Sequence, residues 1–176
     1  MSTLKTNTIQ AATGSTVNVA SGHVLQAPGH VIQVQSSILT TQLTFSNTSF
    51  ADVSGLTVNI TPSSSSSKVL VTAHLGGVSG AAAHAQMFGF ARDSTVIGQT
   101  TASVTNAAAI GMYNGNDNQS FGPMSFQMLD SPNTTSQVTY KVQSKTTGSS
   151  FYLNRWGADA GTFGFSSSIT VMEIAQ

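Results

Sequence analysis

Apolar and polar residues alternate at period two along much of the chain, most cleanly in residues 55 to 75, GLTVNITPSSSSSKVLVTAHL. Leu56, Val58 and Ile60 alternate with Thr57, Asn59 and Thr61, and Val69, Val71, Ala73 and Leu75 alternate with Lys68, Leu70, Thr72 and His74. That period places each set on one face of a β-strand. Pro62 lacks the N–H that a central ladder needs, so the first strand is expected to end there. Ser63 to Ser67 have no apolar surface to bury and are expected to form a solvated loop without chemistry.

From Pro28-Gly29 onward the pattern stays that of β-structure. Residues 30 to 38 predict a strand with Ile32 and Val34 on one face, and residues 43 to 50 a polar–aromatic segment with Phe45 and Phe50. Phe88 and Phe90 share a face in residues 85 to 92, and residues 95 to 98 are expected to pair back across Asp93-Ser94 as a hairpin. Residues 107 to 113 form a short apolar run that ends at the turn-rich Asn114-Gly115-Asn116-Asp117-Asn118. Residues 125 to 130, 137 to 144, 151 to 154 and 167 to 174 complete the series, with Val138, Tyr140 and Val142 predicted to point inward. Eight to ten short strands between turn signals indicate a sandwich or barrel. The apolar closing strand is expected to be central and paired with an early one, as in jelly rolls of C1q/TNF-like topology. Residues 1 to 29 carry too few apolar positions for a core of their own and predict an extended arm, so the expected division is an arm over 1–29 and a jelly-roll-like β-sandwich over 30–176.

Composition narrows the choice of partner. Charged residues are 7% of the chain, against about 25% in ordinary soluble proteins, while Ser, Thr, Asn and Gln fill 71 of 176 positions. The formal net charge is zero, and the six Lys and Arg are scattered, which argues against nucleic acid as a partner. Without cysteine there is neither a disulfide framework nor a thiolate metal site. No apolar run approaches the roughly 20 residues of a membrane-spanning helix, and no membrane insertion is expected.

Candidate chemistry is sparse. A carboxylate-pair hydrolase needs two acids about 5–9.5 Å apart, and among Asp52, Asp93, Asp117, Asp130, Asp159 and Glu173 no pairing is evident; Asp93 and Asp130 read as turn residues. His23, His30, His74 and His84 form no HxH or HExxH pattern, and the serines no nucleophile elbow. The expectation is no catalytic site, no metal and no cofactor. Two segments suit recognition: Tyr113, Asn114, Asn116, Asp117 and Asn118 in one, Arg155 and Trp156 in the other. Ring faces stack on sugars while amides bond hydroxyls, and Trp, Tyr and Arg dominate interface hot spots. The structural alternative for Trp156 is a place in the core or a subunit interface.

The cassette at 55–75 resembles one that recurs in structural proteins of phage virions, especially tail-fibre-like and appendage proteins of marine phages. TLKTNTIQAATGSTVNV near the start is similar to their N-terminal segments, and SSITVMEI at the end fits the same likeness. The resemblance implies a virion location, a homo-oligomer (a trimer), an arm that docks on other virion proteins, and attachment to a host-surface glycan or protein. A capsid-decorating protein and a tailspike polysaccharide hydrolase are the alternatives.

Overall fold

A computed structural model of the chain describes residues 10, 13, 14, 20, 21, 27–80, 83–114, 121–157 and 159–176. The arm expected over residues 1–29 therefore lies largely outside the described residues. Thirteen strands, and no helix, are formed among those described: β1 (Val31–Leu39), β2 (Leu43–Phe45), β3 (Ala51–Ile60), β4 (Lys68–Gly80), β5 (His84–Arg92), β6 (Thr95–Ile97), β7 (Ile110–Asn114), β8 (Phe121–Asp130), β9 (Val138–Thr146), β10 (Phe151–Leu153), β11 (Arg155–Trp156), β12 (Asp159–Gly164) and β13 (Ser167–Ile174).

Eleven of the strands form two curled antiparallel sheets packed as a β-sandwich, and β11 and β12 pair as a separate two-stranded sheet. One sheet runs β1-β13-β4-β10-β2, with β8 on the other edge of β4. The second runs β3-β9-β5-β6, with β7 also on β5. The closing strand β13 is central, between β1 and β4, as its apolar sequence predicts. The cassette alternation also holds: Val69, Val71, Ala73 and Leu75 of β4 are fully buried and meet Leu56, Val58 and Ile60 of β3 in one core with Phe88, Phe90, Tyr140 and Val142. Burying side chains of this size contributes about 1.5–3 kcal/mol each.

Strand β3 starts earlier than its alternation suggests. Val53 and Leu56 both point inward although three residues apart, because a bulge between Asp52 and Thr57 resets the register. Gly55 makes the bulge: its φ is +88°, and a Cβ there would come within 2.7 Å of Leu39 Cδ1. The Asp93-Ser94 hairpin forms as expected, with Asp93 at φ +53° and its Oδ1 accepting the Thr139 N–H (2.9 Å).

On β1, Val34 turns away from the core, since it pairs with the outward Met172 and is 51% exposed, and a register shift between Val31 and Gln33 interrupts the alternation at Ile32. Two expectations change. The serine loop is not merely solvent-facing: Ser67 is buried, and the Ser63 N–H (2.7 Å) and hydroxyl (2.6 Å) both donate to Glu173 Oε1. Gln33 Nε2 donates to Glu173 Oε2 (2.6 Å) and to the Thr61 carbonyl (2.7 Å). Glu173 is fully buried, so the loop, β1 and β13 are tied together through one carboxylate. Asp130, finally, is the last residue of β8 rather than a turn residue, and its Oδ2 accepts from Arg92 Nη1 (2.6 Å) and the Tyr140 hydroxyl (2.7 Å). Burial and the neighbouring Asp130 charge push the Tyr140 phenol far above its ordinary range.

Burial alone would raise the Glu173 carboxyl, but the bonds from Ser63 and Gln33 outweigh it and hold the group below its ordinary value of 4.5. A carboxyl depressed by folding stabilises the native state above its unfolded value and loses that contribution as pH falls through the lower native one. E173Q should therefore be less stable than the wild type by about 1–3 kcal/mol at neutral pH. In urea unfolding at a series of pH values, that gap should close below pH 4.5; a gap independent of pH would contradict the assignment.

Candidate functional site

The sequence-predicted site residues fall on different parts of the molecule. Tyr113 lies on β7 in the second sheet and is 66% exposed. Asn114 ends the same strand, while Asn116, Asp117 and Asn118 lie outside the described residues. Arg155 and Trp156 form β11, which pairs with β12, Trp156 opposite Asp159. β7 and β11 belong to different sheets.

Around Trp156 a different constellation assembles. Phe121 at the start of β8, Trp156, Phe163 of β12 and Phe165 beyond it line an open cleft of about 250 Å³ whose walls are wholly apolar. Trp156 meets Phe163 edge to face at 5.6 Å between centroids, and Phe121 lies against Phe165 at 4.9 Å. Phe121 and Phe163 remain 37% and 47% exposed, so ring area is left for a partner. Gly77 of β4 makes room for the pair: a Cβ there would lie 2.5 Å from Phe121 Cε2 and 3.0 Å from Phe165 Cδ2. Beside the cleft, and sharing Phe165, runs a groove of about 610 Å³ lined by Thr40, Gln42, His74, Gly76, Gly164 and Ser166.

One buried residue holds this region to the sandwich. Asn154 is fully buried between β10 and β11 at φ +62°, a conformation that asparagine tolerates better than most residues. Its Nδ2 donates to the Leu39 and Thr41 carbonyls (3.0 Å each), and its Oδ1 accepts the Ser167 hydroxyl (2.6 Å). Its N–H bonds the Gly77 carbonyl (2.8 Å), and its own carbonyl accepts the Phe165 N–H (3.1 Å). Leu153 on one side thus enters the core while Trp156 on the other reaches the cleft. Ser79 pins the same turn, donating to the Arg155 carbonyl (3.1 Å) and accepting the Gly157 N–H (2.8 Å).

No protein-family model matches this chain, and no curated protein is significantly similar to it in sequence.

Arg155 serves the local structure. Its guanidinium stacks on Tyr152 at 4.0 Å from the ring centroid, and its Nε donates to the Gly157 carbonyl (3.0 Å). Of the carboxylates whose side chains are described, each is engaged in the scaffold. Asp130 and Glu173 are bound as above, Asp93 ties its hairpin to β9 through the Thr139 N–H, and Asp52 is paired with Lys141 (2.8 Å) and Gln143 (2.8 Å). Among the described residues no three His, Asp or Glu side chains gather as metal ligands. What the site can do with its present side chains is stack and exclude water.

Trp156 was legible from sequence; Phe121, Phe163, Phe165 and Asn154 were not singled out. The spacing of Phe163 and Phe165 in GTFGF, two apart, was the available signal for a shared surface. Asn154→Ala should lower stability by about 2–4 kcal/mol, because it strands two buried carbonyls and a hydroxyl and puts alanine at a left-handed φ. Urea unfolding measures this; a loss under about 1 kcal/mol would show that Asn154 is not the anchor.

Proposed function

We propose that this chain is a structural protein of a phage virion, a homo-oligomeric, trimeric tail-fibre or appendage subunit that attaches to the host surface. The sequence resemblance at residues 3–25, 55–75 and 167–174 supports the virion location. The strand order supports a jelly-roll wiring, since the first and last strands of the sandwich lie side by side in the β1-β13-β4-β8 layer, with β3-β9-β5 opposite.

The observation that carries the attachment role is the aromatic cleft of Phe121, Trp156, Phe163 and Phe165. Aromatic faces beside an amide and hydroxyl groups from Gln42, Thr40 and Ser166 match the chemistry of a glycan, whose C–H faces stack and whose hydroxyls form hydrogen bonds. Among the described residues no Lys, Arg, Asp or Glu lines either cavity, which favours a neutral sugar. A single shallow cleft binds weakly, and several copies on one particle turn weak contacts into avidity. The reading is one of binding, with the acids committed to the scaffold and the rings left for the partner.

Binding of the purified full-length protein to host cells tests this. Trp156→Ala should reduce cell binding at least about tenfold, the size of a hot-spot loss. Val96→Ala, exposed on β6 of the other sheet, should leave it unchanged. A neutral oligosaccharide prepared from the host surface should compete. Undiminished binding by W156A would remove the cleft from the attachment role, and competition by a host protein but not by sugar would replace the glycan.

A further inference from the structure

Nine large hydrophobic side chains are exposed among the described residues, and four of them, Val31, Val34, Ile38 and Leu129, lie on the outer face of the β1-β13-β4-β8 layer. The ladder registers align that face in rows. Val34 stands opposite Met172, Met172 opposite Leu70, and Leu70 opposite Leu129, an unbroken apolar row across four strands. The adjacent row begins with Val31 opposite Ile174 and ends on Lys68, the one charged side chain in the four rows from Lys68 to His74. Lys68 Nζ is itself bonded to the Ser131 hydroxyl (2.6 Å).

The outer face of the other sheet is built in the opposite sense. There Thr139 bonds Asn59 (2.8 Å), and Asp52 takes Lys141 and Gln143 (2.8 Å each). One sandwich thus carries a polar, hydrogen-bonded outer face and one with an apolar patch over its first two rows, bordered by Lys68 and by rows that carry Thr72, Gln127, His74 and Ser125. A contiguous apolar patch of this kind marks an interaction surface.

We propose that the apolar face is the contact between copies of this chain, with a second copy seated on the Val34–Leu129 row. The single charge on this face, Lys68, is already bonded to Ser131, so a charged partner gains little there, whereas a row of Val, Met and Leu is complementary to the same row of a second copy. Four strands about 4.8 Å apart and four rows about 6.6 Å apart give a footprint of about 500 Å² per copy. Two copies would then cover about 1,000 Å², the lower limit of a specific interface. The aromatic cleft stays open in such an assembly. It begins at Gly77, three residues along β4 beyond the last row at His74 and about 10 Å from it, with His74 at the border of the adjoining groove. The proposal does not rest on what the cleft binds.

Sedimentation velocity of the full-length chain over a concentration series is the test. The wild type should be oligomeric, and V34K/L129K should raise its dissociation constant at least about tenfold while circular dichroism shows the same β-fold. V96K, on the other sheet, should assemble like the wild type. If the lysines unfold the chain, V34S/L129S is measured in their place and should weaken assembly in the same direction. A wild type that is monomeric at every concentration overturns the proposal, including the cases in which the chain's own N-terminal segment or a different protein covers the face. An oligomer left intact by substitutions at both positions, or dissociated equally by V96K, also overturns it.

Discussion

Strand β4 is the constraint on which the rest of the structure depends. Its first half pairs with β13 and its second half with β10 on one edge, while β8 follows it along the other. Because both edges are taken, its two faces must do different work. Val69, Val71, Ala73 and Leu75 face the core, and Leu70 and Thr72 face out beside β13 and β8. A one-residue slip of β4 would exchange these faces and bury Lys68 and His74, so the register is strongly determined. Gly76 and Gly77 follow where β4 meets the chain that bears Phe165. A side chain at Gly76 would strike the Ser166 carbonyl, and one at Gly77 would strike Phe121. The strand that organises the core therefore also shapes the floor of the cleft.

The shortage of charge explains how the rest is distributed. With six acids and six Lys and Arg in 176 residues, ionic groups are sparse, and each carboxylate whose side chain is described is supported by hydrogen bonds. Arg92, Asp130 and Tyr140 link β5, β8 and β9 across the end of the sandwich. Glu173 joins β13 to β1 and to the serine loop. Such buried polar groups are costly when unpaired and specify one arrangement when satisfied. What remains for contact with other molecules is apolar: a cleft of four rings at one end of β4 and a row of aliphatic side chains at the other.

Much of the sandwich was legible in the sequence, because period-two alternation in residues 55–75, 137–144 and 167–174 reports strands directly. Alternation defines two faces without saying which is inward, and this is why β1 reads equally well with Val34 turned in. The partner decides: Gln33, on the inward face, is opposite Glu173. Contacts between distant segments were not legible at all. Ser63 and Glu173 are 110 residues apart, and a run of serines gives no sign that one of them caps a buried acid. The cleft likewise draws Phe121, Trp156, Phe163 and Phe165 from separate turns of the chain, and only Trp156 stood out by type. Tyr113, by contrast, stood out by type and stands away from that cluster, on the other sheet.

On the role proposed above, the β-sandwich scaffold, a surface for assembly and a surface for attachment serve one claim, that the chain is an appendage of a phage particle. Electron microscopy of phage particles that encode this chain, labelled with antibody against the purified protein, tests that claim most directly. The account predicts label at the tail or its fibres, on intact particles and in several copies per particle. Label spread evenly over the capsid, or particles that carry none, would contradict it.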